Sequence, residues 1–124
     1  MTDVQQELID TVASFTLDPF AYAHFAFPWQ ETGELEDFDG PRDWQRDILG
    51  DIRDHLQNPE TRFEPLQIAV ASGHGIGKSA LIGMITKWGL DTCEDCRIVC
   101  TANTDGQLRT KTVPEIVKWS RLAL

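Results

Sequence analysis

An α/β fold, with a partial parallel sheet and flanking helices behind a helical N-terminal segment, is what the sequence predicts. Three observations carry it. Residues 66–71, LQIAVA, and residues 97–102, RIVCTA, are short apolar runs of strand length. Between them Ser72-Gly73-His74-Gly75-Ile76-Gly77 opens onto a helical pattern that puts Leu81, Ile85 and Trp88 on one face. Strand, loop, helix and strand in that order make a βαβ unit, which implies parallel pairing through a right-handed crossover.

The flanking elements follow from periodicity and punctuation. Val4, Leu8, Val12 and Phe15 predict an amphipathic helix over residues 2–16, with Thr2 or Asp3 as its N-cap. Residues 17–40 read as an irregular lead-in. They hold two prolines and an aromatic cluster (Phe20, Tyr22, Phe25, Phe27, Trp29) that packs onto a larger body, then an acidic, solvated loop of Glu34, Glu36, Asp37 and Asp39. A second helix is predicted from Pro41, suited to a first helical position, to about residue 57. Trp44, Ile48, Ile52 and Leu56 line one face, and Asn58-Pro59 stops it. Leu108, Ile116, Trp119 and Leu122 mark a last helical stretch, in which Pro114 opens a new helix. The division expected is a lead-in over residues 1–40 and the α/β domain over residues 41–124.

Composition narrows the class. With 124 residues, 41% hydrophobic and 25% charged, the chain is sized for one small soluble domain. No apolar run reaches the ~18 residues of a membrane span, and the start MTDVQQELID lacks a signal-peptide pattern. Three cysteines without such a signal point to reduced thiols and a cytoplasmic setting. The net charge of −9 is uneven: residues 1–62 hold 14 acids against 4 bases, residues 63–124 hold 6 against 7. General nucleic-acid binding is disfavoured in the acidic half, so a DNA contact would use the C-terminal part.

The glycine stretch carries the chemistry. Ser72-Gly73-His74-Gly75-Ile76-Gly77-Lys78-Ser79 matches the phosphate-loop pattern G-x-x-x-x-G-K-[ST] at every required position but the first, where serine replaces glycine. Glycines let successive backbone N–H groups turn around an anion, and the helix that follows adds its N-terminal dipole. Lys78 reaches the β- and γ-phosphates, and the Ser79 hydroxyl ligates Mg²⁺. A dinucleotide fingerprint fails, because lysine stands at 78 and alanine at 80 where it needs glycine. Gln45 admits two readings: an exposed helical glutamine, or an amide pairing with the N6 and N7 edge of adenine.

Together DPFAYAHFAFPW, GPRDWQRDIL, ASGHGIGKSAL and RIVCTANTDGQLRTKTVPEIVKW resemble, in order and over about residues 17–120, the N-terminal ATPase part of phage terminase large subunits. The loop is shared with many ATPases; Phe27-Pro28-Trp29 and the TANT stretch are more specific. The resemblance implies a P-loop NTPase fold that uses ATP and Mg²⁺, with Gln45 reading adenine, Lys78 as the catalytic Walker A lysine and Ser79 as the metal ligand. It also implies double-stranded DNA, a portal protein, a small terminase subunit and a ring of copies as partners in packaging viral DNA, with no membrane.

Two departures qualify it. His74 stands where many relatives carry an arginine proposed to act on the γ-phosphate, and a histidine is largely neutral at pH 7. No apolar run ending in Asp or Glu follows RIVCTA, so the expectation is a truncated terminase without Walker B or nuclease domain. The alternatives are a catalytically inactive nucleotide-binding or interaction fragment of a prophage remnant, and a piece of a helicase- or AAA-type ATPase. Cys93 and Cys96 form a C-x-x-C, but no histidine stands at zinc-finger spacing, and Cys100 reads as a core residue.

Overall fold

The computed structural model describes residues 2–71 and 77–123. Its helices are α1 (Asp3–Ala13), α2 (Pro19–Ala26), α3 (Asp43–Gln57), α4 (Lys78–Thr92), the short α5 (Asp105–Gln107) and α6 (Val113–Leu122), with a π-helical turn at Leu108–Thr112. Among the described residues there is no strand. The α/β architecture, and with it the P-loop NTPase sheet, is therefore corrected to an all-helical one. The two strand candidates are irregular chain: Leu66, Ile68 and Val70 stay 38–42% exposed and Val99 86%. The physical reason lies in what a parallel pair requires. Parallel strands need both faces covered and more than two members to be stable, and the chain offers two runs. Helix α4 instead packs its apolar face on α6, α2 and α1.

The helices start where their caps put them. Thr2 and Gln5 form a reciprocal capping box at the start of α1. The lead-in is less irregular than its sequence suggests, because Asp18 Oδ1 accepts from Ala21 N–H at 2.9 Å and Pro19 opens α2. Pro41 lies just outside α3, whose N-cap is Arg42. Pro114 begins α6 without breaking the helical path. Its missing N–H and its ring, which crowds the carbonyl four residues back, are accommodated by the π turn, where Val113 N–H donates to Leu108 five residues earlier.

The core joins the lead-in to the rest of the chain. Tyr22, Ala23, Ala26 and Phe27 of the α2 region pack with Leu35, Leu49, Leu81, Met84 and Trp119. Trp119 meets Phe27 edge-on, ring centroids 5.2 Å apart, and Trp29 at 6.0 Å. Helix α6 comes this close to α4 because residue 83 is glycine: a methyl there would stand 2.9 Å from the Trp119 ring. At the other end of α4 the Trp88 indole donates to the Phe15 carbonyl at 2.7 Å. No helix of the described residues is long and apolar enough to cross a membrane.

The buried Tyr22 hydroxyl donates to Asp91 Oδ2 at 2.6 Å, and Asp91 Oδ1 is paired with Lys87 at 3.0 Å. Burial first, and then the hydrogen bond to Asp91, push the phenol well above its usual range. A raised folded-state pKa gives stability that is fully present below the unfolded value of about 10 and is lost as pH climbs past it. Tyr22→Phe is expected to lower stability by about 1.5–3 kcal/mol at neutral pH, the scale for a hydrogen bond to a charged group. The gap to wild type should narrow above pH ~10. Urea denaturation at pH 7 and above pH ~10 checks both; a constant gap would contradict the linkage.

Candidate functional site

Glycine is required at the entry to α4 for two reasons. Gly77 has φ +91°, the left-handed region, and a Cβ there would stand 2.7 Å from Gln45 Nε2. The glutamine comes that close because it bridges two helix starts. Its Nε2 donates to the Gly77 carbonyl at 2.8 Å, while its Oε1 accepts from Arg42 N–H at 2.9 Å. Gln45 is 4% exposed, so it is a nearly buried amide rather than a surface glutamine. An amide side chain has two N–H groups and two carbonyl lone pairs. Among the described residues one of each is committed, to Arg42 and to Gly77.

These groups line one cleft of about 400 Å³. One wall is Arg42, Gln45 and the first turn of α4, with Gly77, Lys78, Ser79 and Ala80. The facing wall is Trp29, Glu34, Leu35, Phe38 and Gly40 from the lead-in, with Glu115, Lys118 and Trp119 from α6. The structure thus brings together four of the residues marked in the sequence: Gln45, Gly77, Lys78 and Ser79. The others, Ser72, Gly73, His74, Gly75 and Ile76, lie outside the described residues. The facing wall was missed by sequence reasoning. The acidic loop reads as merely solvated, and nothing in EIVKW, residues 115–119, signals a pocket.

The charges converge on the cleft with a small positive excess, Arg42, Lys78 and Lys118 against Glu34 and Glu115. Helix α4 has no acid in its first turn and starts with a lysine. A cation there opposes the helix dipole, whose N-terminal end attracts anions. Lys118 Nζ is paired with Glu34 Oε2 at 2.9 Å, and that hydrogen bond raises its pKa against the opposing effect of burial. Glu115 Oε1 accepts from the Trp119 indole at 2.9 Å. Among the described residues no group of three or more His, Cys, Asp or Glu is placed to hold a metal. A divalent ion here would rest on the Ser79 hydroxyl and on phosphate oxygens, a sparse protein contribution that suits Mg²⁺.

Comparison with family models, curated proteins and solved structures finds no match.

Proposed function

We infer that the chain binds a nucleoside triphosphate, ATP with Mg²⁺, in the cleft at the start of α4. The observation that carries this is the convergence of Gln45 and Gly77-Lys78-Ser79, far apart in sequence, on one cleft of about 400 Å³. That volume falls within the ~300–1,000 Å³ usual for small-ligand sites. The α4 N-terminus and Lys78 take the phosphates, Ser79 holds the metal, and the uncommitted half of the Gln45 amide meets the adenine edge. Ser72, Gly73, His74, Gly75 and Ile76 would complete the cradle.

The sequence resemblance supplies the setting of the proposal. The chain would be the ATP-binding N-terminal portion of a terminase large subunit in the cytoplasm of an infected or prophage-carrying bacterium. It would serve a ring-shaped motor that moves double-stranded DNA through a portal, with DNA delivered by a small terminase subunit. A second reading, binding without turnover, is favoured by the two carboxylates of the cleft. Glu115 is engaged by the Trp119 indole, and Glu34 has a side chain 59% exposed on an irregular loop, so neither is a shielded base that would orient an attacking water.

Nitrogen-15 NMR of the chain titrated with ATP and Mg²⁺ tests the site. The expected result is saturable shifts of the Gln45 side-chain amide, the Lys78 backbone amide and the Trp29 and Trp119 indole signals. Phosphate release in the same samples separates the motor reading from binding alone. Absence of shifts, or shifts confined to other surfaces, would contradict the site.

A further inference from the structure

Taking the cleft as a nucleotide site, on which this inference rests, we propose that Lys118 is a second phosphate-binding cation, occupied by Glu34 until an anion arrives. The geometry points to an exchange of partners because the two ends of the ion pair are held differently. Lys118 precedes Trp119, which is buried against Gly83 of α4 and the Phe27 ring. Its backbone is therefore fixed relative to the helix that carries Lys78. Glu34 belongs to an irregular loop closed by Gln30 N–H donating to the Leu35 carbonyl at 2.9 Å, with turn geometry at Gln30 (φ +61°) and Gly33 (φ +136°). Leu35 is buried and pins the loop, but the side chains of Glu34 and Lys118 are 59% and 42% exposed.

An ion pair this exposed is weak, because water screens both charges. A triphosphate offers the same ammonium an acceptor of higher charge, in a cleft that the start of α4 also lines. Lys118 turns from Glu34 to phosphate, and the carboxylate swings into solvent. The acidic loop then competes with the ligand: it keeps weaker anions out and sets the affinity of the site. Sequence gave no hint of this, since Glu34 reads as one of a solvated run of acids.

Affinity for a fluorescent ATP analogue with Mg²⁺ is measured for wild type, Lys78→Ala, Glu34→Gln, Lys118→Gln and the Glu34→Gln/Lys118→Gln double variant, with fold checked by circular dichroism. Glu34→Gln is expected to tighten binding by about three- to fivefold, the scale of an exposed ion pair. Lys118→Gln is expected to weaken it by about tenfold, and the double variant should match Lys118→Gln alone. Tightening that survives in the Lys118→Gln background would mean that Glu34 only repels the ligand at a distance, and would overturn the exchange. So would an unchanged or weaker Glu34→Gln alongside Lys78-dependent wild-type binding, which would leave the nucleotide site standing. Wild type without Lys78-dependent binding would overturn both.

Discussion

Trp119→Ala is expected to destabilise the chain by about 3–5 kcal/mol, the range for truncating a buried tryptophan. The residue is 5% exposed and joins three parts of the molecule: Phe27 and Trp29 of the lead-in, Gly83 of α4, and its own helix through Glu115. The described residues contain nine buried hydrophobic side chains, so this is a small core, and stabilities of such domains are about 5–15 kcal/mol. The loss takes a large fraction of the total. Urea denaturation followed by circular dichroism should show the midpoint falling sharply; a change below ~1 kcal/mol would mean that α6 is not docked as described.

Lys78→Ala is expected to weaken binding while the chain stays folded. A hydrogen bond to a charged partner is worth about 1.5–3 kcal/mol, so losing the lysine should weaken nucleotide binding by about ten- to a hundredfold. Urea denaturation should show that the variant remains folded, so that the loss is one of binding.

What was legible in the sequence follows the range of the interactions. Periodicity located α1, α3 and α4, since each has an apolar face set by local spacing. Asp18-Pro19 was a start signal for α2, but the surrounding aromatics and prolines masked a helix only eight residues long. The strand assignment for 66–71 and 97–102 failed because a short apolar run does not state its partner. Strand identity is a property of the pairing, and the helices took the core instead. The G-K-S start of α4 and Gln45 were readable; that Gln45 bonds Gly77 was not, and it makes the glycine doubly necessary. The wall of Glu34, Phe38 and Lys118 exists through the close approach of α6 to α4, which depends on one small residue facing one large one.

The most direct test of the account is the equilibrium affinity of the purified chain for a fluorescent ATP analogue with Mg²⁺, measured beside Lys78→Ala with both proteins shown to be folded. Saturable binding by wild type is expected, falling by about ten- to a hundredfold in the variant. Equal affinities in two folded proteins, or no binding by either, would contradict it and reduce the start of α4 to a strand-free turn that happens to contain a lysine.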